Sequence, residues 1–155
     1  MRYEQFGNQY VLRLEPGEEV RSKLTEFIEQ ENIGGGYFIA FGAFCRARLR
    51  YFDVAAKEYR NHEIDQQVEV VSLLGNIAWV DGKPKIHMHV AVSDGQTRTY
   101  SGDMEEGYAR PTLELFLTKL PGEIRREKDP ESGLDLLSLP HEMGVRRLPK
   151  RRKAA

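Results

Sequence analysis

Between Gln67 and Asp103 the chain reads QVEVVSLLGNIAWVDGKPKIHMHVAVSDGQTRTYSGD. Apolar and other residues alternate through most of it, most regularly at Ile86, Met88, Val90 and Val92. Two Asp-Gly pairs, Asp81-Gly82 and Asp94-Gly95, punctuate the run. A period of two is a strand with one buried face, and Asp-Gly between such runs is a hairpin turn. A chain with this segment must therefore build an antiparallel meander. It cannot be a helical bundle or a parallel α/β fold.

The flanks follow the same logic. QYVLRLE (residues 9–15) alternates and ends at Pro16-Gly17. Residues 18–32, EEVRSKLTEFIEQEN, then place Val20, Leu24, Phe27 and Ile28 on one helical face, with Glu18 and Glu19 in the first turn. Asn32 to Gly36 end this helix. GGGYFIAFGAF predicts a buried strand and RARLRYFDV a second; Asp53–Lys57 is a turn and KEYRNHEI a short polar strand. A break is expected after Gly102, then a strand over RPTLELFLTKL and a last hairpin in IRREKDPESGLDLLSL, turning at Pro130–Gly133. The sum is an α+β fold, a mostly antiparallel sheet with one main helix, in a single domain over residues 1–143.

Net charge becomes informative once it is divided. The chain carries −1 overall, while residues 144–155 contain Arg146, Arg147, Lys150, Arg151, Arg152 and Lys153 and no acid. The remainder therefore carries −7. A body built to hold a phosphate backbone would be basic, so any DNA contact is assigned to this tail, which has too little apolar content to pack and is expected to be disordered. It lacks the Arg-Gly-Arg-Pro core that reads a minor groove, and a solubilising tail on an acidic body is the other reading. One cysteine, Cys45, no run long enough for a membrane helix and no apolar leader point to a cytoplasmic protein.

His87 and His89 stand one residue apart on the strand and so share the face that Ile86 and Met88 do not use. They are either half of a metal site or polar residues on a wet face. Asp103 can join them only if the loop at Asp94-Gly95 has an odd number of residues, or if a bulge intervenes. A three-residue loop sets His87 opposite Asp103; five residues keep the parity and shift the pairing. Two imidazoles and a carboxylate suit zinc with an open fourth position, and the carboxylate moves preference toward harder ions such as manganese. An open position permits hydrolytic chemistry in principle, but Glu105 and Glu106, near in sequence, read as a solvated charge pair and not as a base; a binding role is expected over an enzymatic one, with a metal-dependent enzyme as the alternative. Gly34-Gly35-Gly36 follows a helix instead of opening one, which favours helix termination over a phosphate cradle.

These stretches together resemble one family. VLRLEPGEEV, FIAFGAFCRARLRYFD, VEVVSLLGNIAWVDGKPKIHMHVAVSD, the Ser101-Gly102-Asp103 region and RREKDPESGLDLLSL occur in the order found in the PPC (plant and prokaryote conserved) domain family, over roughly residues 9–139. In plants that domain follows AT-hook DNA-binding motifs. The resemblance implies a homotrimer, DNA association, and a divalent metal, usually zinc, held by the His-x-His pair (His87, His89) and a third histidine in Gly-Gly-His. Here that third position is Asp103. It also implies a supporting role for Glu69, whose partner, if it is buried, would be an arginine.

Overall fold

Alternation becomes strand wherever the sequence shows it, but the strands run longer than the pattern suggests. The structure, a computed structural model, describes residues 1–141. In chain order the elements are β1 (Arg2–Phe6), β2 (Gln9–Leu14), α1 (Val20–Gln30), β3 (Gly36–Asp53), β4 (Glu58–Ile64), β5 (Val68–Val80), β6 (Lys83–Ser93), β7 (Thr99–Lys119), β8 (Arg125–Lys128) and β9 (Asp135–Ser138). This is the expected α+β architecture, mostly strand with one helix.

Three features differ from expectation. The two strands foreseen around Cys45 are one 18-residue strand, β3. It bends at Gly42, where φ is +143° and an added Cβ would lie 2.4 Å from the Thr112 carbonyl oxygen. A bulge absorbs the bend without ending the ladder. The break foreseen after Gly102 is also absent: β7 runs 21 residues through it. β1 gave no signal because all five of its residues are exposed, so no buried face imposes an alternation; it is an edge strand held by β2.

The helix begins with Glu19 as its cap, the carboxylate accepting the amide N–H groups of Arg21 at 3.0 Å and Ser22 at 2.7 Å. It buries the four predicted residues, Val20, Leu24, Phe27 and Ile28. At its other end Asn32, at φ +49°, makes the turn. The three glycines that follow serve close approach instead: a Cβ on Gly34, Gly35 or Gly36 would meet Gly122, Ile124 or Thr118 at 2.6 to 2.9 Å.

The ladder closes on itself. β3 pairs β5, β5 pairs β6, β6 pairs the first part of β7, and β7 returns to β3, all antiparallel. The inner faces of these strands and the apolar face of α1 enclose one core, with Phe27, Phe38, Phe44, Leu73, Met88 and Met104 among its fully buried members. Outside, the sheet bears an apolar stripe. Ile39 lies opposite Leu74 on one side and Phe116 on the other, and Phe41 stacks on Phe116 with ring centroids 6.1 Å apart. Ile39 and Leu74 are each 56% exposed. Among the described residues, no helix is long and apolar enough to cross a membrane.

Candidate metal centre

Alternation on β6 decides where the histidines point. Ile86, Met88 and Val90 are buried, so His87 and His89 are turned outward and exposed. The loop to β7 is five residues, Asp94 to Arg98, an odd count. His89 therefore lies directly opposite Asp103, and all three side chains share one face. The loop is longer than a tight Asp-Gly turn because Asp94 organises it. Its carboxylate accepts the amides of Gln96 (2.9 Å) and Arg98 (3.0 Å), the Arg98 guanidinium (2.8 Å) and the Tyr100 hydroxyl (3.3 Å). Burial works to raise the Asp94 carboxyl, but these donors outweigh it and hold it below the usual range.

The ligand atoms of His87, His89 and Asp103 lie within 4.8 Å of one another. Nε2 of His87 is 3.0 Å from Nε2 of His89. At this distance the two rings share a hydrogen bond; two imidazole nitrogens bound to one tetrahedral zinc stand about 3.3 Å apart, so a small separation of the rings would admit the ion in place of the shared proton. The His87 ring reaches solvent, but the cleft wall packed beside it desolvates it in part and keeps it below the usual imidazole range; Asp103 opposes this, while Arg126, His89 and Arg21 reinforce it. The neutral form is the one that ligates. The residues present thus fit a divalent cation, which would be held by His87, His89 and Asp103 and would supply Lewis acidity at its remaining positions.

A group whose pKa is lower in the folded than in the unfolded chain makes folding favour the neutral ring. Stability is then complete above about pH 6.5, the unfolded imidazole value, and is lost as pH falls below it. Thermal unfolding of the metal-free protein between pH 7.5 and 5.5 is expected to show this fall, and His87→Asn to reduce it.

The surroundings were not legible beforehand. Arg50, from β3, donates to Asp103 at 2.7 Å, reaches Glu105 at 3.3 Å and stacks on the Tyr59 ring at 4.4 Å. It fixes the carboxylate that would ligate. Glu106 pairs Arg48 at 2.8 Å, so neither neighbouring glutamate is a free base. Arg126, from β8, donates to Asn76 at 2.7 Å and stands 3.5 Å from Nδ1 of His87. Arg21 donates to the carbonyls of Glu105, Ile86 and Met104. No sequence spacing relates these arginines to the histidines; only the closed ladder brings them together. They line a cleft of about 670 Å³ that opens beside His87 and Asp103.

Glu69 is exposed on β5, opposite Ala43 and Ser93, and does not join this group. Its exposure removes the need for a buried partner. Cys45 is half-buried. Arg146, Arg147, Lys150, Arg151, Arg152 and Lys153 lie outside the described residues.

Residues 1–121 match the sequence model of the Plants and Prokaryotes Conserved (PCC) domain. The chain belongs to this family. It is the family, also abbreviated PPC, that the ordered stretches of sequence resemble. Among solved structures, the chain is similar to a metal-containing protein from Archaeoglobus fulgidus, 32% identical with a TM-score of 0.80, covering 90% of this chain and 99% of that one. It is similar to a candidate DNA-binding protein from Ralstonia eutropha, 28% identical with a TM-score of 0.84, over 89% and 96% of the two chains. A PPC protein from Pyrococcus horikoshii is 28% identical with a TM-score of 0.81, over 93% and 97%. A curated relative is the bifunctional protein GlmU of Synechococcus sp. (strain JA-3-3Ab), 31% identical over 127 residues. That match takes in 80% of this chain, which spans about a fifth, 19%, of the relative's length.

Proposed function

We propose that this PCC domain is a binding module that holds one divalent cation, zinc or manganese, between His87, His89 and Asp103. The observation that carries the reading is the convergence of three ligand atoms within 4.8 Å on one sheet face. A relative of 32% identity that contains metal supports it. Binding is favoured over catalysis because Glu105 and Glu106 are tied to arginines. Native mass spectrometry of the untagged chain tests this: one metal per subunit is expected, and a metal-free spectrum after incubation with zinc and with manganese would overturn it.

The module works as a homotrimer. The stripe around Ile39, Leu74 and Phe116 supports self-association, since monomers rarely leave a contiguous apolar patch bare. Ile39→Glu combined with Leu74→Glu is expected to cut the sedimentation mass to one third; an unchanged mass would place the contact elsewhere.

A second reading, association with DNA, has its own support. Six cations crowd residues 146–153 of an otherwise acidic chain, and one relative is a candidate DNA-binding protein. Three tails on one trimer bind together more tightly than one alone. Such contact is independent of sequence and weakens steeply with salt, in keeping with a cytoplasmic protein associated with the nucleoid. Deleting residues 144–155 is expected to abolish mobility shifts of duplex DNA at low salt. Retained binding would move the contact to the body.

A further inference from the structure

We propose that the cleft beside the metal centre binds a small carboxylate-bearing molecule through Arg126 and Arg21, and that this ligand and the cation bind cooperatively. The cooperative part rests on the metal reading above.

The first observation is charge. Arg126 is 9% exposed, yet its guanidinium bonds the Asp135 carbonyl and the Asn76 amide oxygen, both neutral, at 2.7 Å. Arg21 is spent on three carbonyls. Among the described residues neither forms an ion pair with a carboxylate, whereas Arg48 and Arg50 each do. Buried cations are normally retained with a counter-ion; Arg126 is buried and feels the Asp135 carboxylate only beyond ion-pair distance, while Arg21 is half-buried with Asp103, Glu19 and Glu105 nearby but unpaired with it. A guanidinium has five N–H donors, so three carbonyl bonds leave Arg21 two to offer to the cleft.

The second observation is where the two ring nitrogens of His87 stand. Its Nε2 faces His89, so ligation through that atom puts the ring proton on Nδ1. Nδ1 stands 3.5 Å from a nitrogen of Arg126 that has only donors. Metal binding therefore sets two donors against each other. A carboxylate oxygen bridging them from the cleft side accepts from both, which removes the conflict and neutralises Arg126 at once. The cation creates the conflict and the anion removes it, and that is the source of the coupling.

The shape and lining define the class. The volume, about 670 Å³, lies within the range of about 300–1,000 Å³ typical of small-molecule sites. Tyr59, Pro84, Leu134 and Leu136 give it apolar walls. Five carboxylates line it, Glu19, Asp103, Glu105, Glu106 and Asp135, against four cations, Arg21, Arg50, Lys85 and Arg126; this near balance disfavours a phosphate dianion more than a monoanion. A carboxylate on an apolar body suits both features.

The test uses the full-length protein, Co²⁺ as the metal and benzoate and inorganic phosphate as probes. Visible absorption follows Co²⁺ binding; ligand-observed NMR follows benzoate. Saturating benzoate is expected to tighten Co²⁺ at least tenfold. Arg126→Gln should lose this tightening while still binding Co²⁺ in its absence. Leu136→Glu, on the exposed wall of the cleft, should block benzoate and leave Co²⁺ binding intact. Co²⁺ binding indifferent to benzoate, or tightening that survives Arg126→Gln, overturns the proposal. Tightening by phosphate and not by benzoate overturns the carboxylate assignment. Failure of Co²⁺ to bind, with benzoate still bound through Arg126, would instead remove the metal reading and the coupling, and leave the anion site.

Discussion

With the proposed ligand set, His89→Ala is expected to lower zinc affinity by at least about 100-fold, more than the loss typical when an outer-shell partner is removed. The metal-free fold is expected to survive the change. His89 is exposed on the outer face, opposite Asp103, and its core-facing neighbours Met88 and Val90 keep their packing. No cavity forms, so the large cost falls on the metal alone. Arg50→Gln supplies the graded comparison. It leaves three ligands but frees Asp103 from the guanidinium at 2.7 Å, and the loss expected is about 10- to 100-fold. Equilibrium dialysis with elemental analysis measures both. Stoichiometric zinc in the alanine variant would mean that the ligands are other residues.

Arg21→Met removes about 3 kcal/mol of folding stability, read as a lower denaturation midpoint at unchanged slope. Methionine keeps the length and apolar character of the stem, so packing is largely conserved. What goes is a charged donor to three carbonyls, those of Ile86, Met104 and Glu105. These belong to β6 and β7, so the side chain pins α1 to the two strands that bear the candidate ligands. Burial depresses the Arg21 guanidinium, while Asp103, Glu19 and Glu105 act in the other direction. The carbonyls would be left without a partner, and orphaned buried acceptors cost more than a hydrogen bond contributes. Arg13→Met is the contrast: Arg13 bonds Glu15 on an exposed strand face, and its loss should change stability little. Equal effects from the two substitutions would refute this view of Arg21.

Much of the architecture was legible because alternation is a local property. Ile86, Met88, Val90 and Val92 cannot all be buried unless His87 and His89 face outward, whatever the rest of the chain does. The helix, the turn at Asp81-Gly82 and the final hairpin follow from equally local patterns. The strand ends were less legible. A glycine reads as a stop in sequence, yet Gly42 and Gly102 lie inside continuous strands where another backbone passes too close for a side chain.

For the candidate site the division is sharper. Sequence alone determined the face of both histidines and reduced the choice of Asp103 to the parity of one loop. The folded loop settled that parity through local bonds that no Asp-Gly pattern announces: Asp94 accepts from Gln96, Arg98 and Tyr100 and so makes five residues of it. Tertiary structure decided which arginines surround the ligands. Arg21, Arg50 and Arg126 come from the helix, β3 and β8, and reach one cleft only because the strand ladder closes on itself. Side-chain direction is set by each residue's own strand, whereas company is set by which strands become neighbours, and no local pattern encodes that.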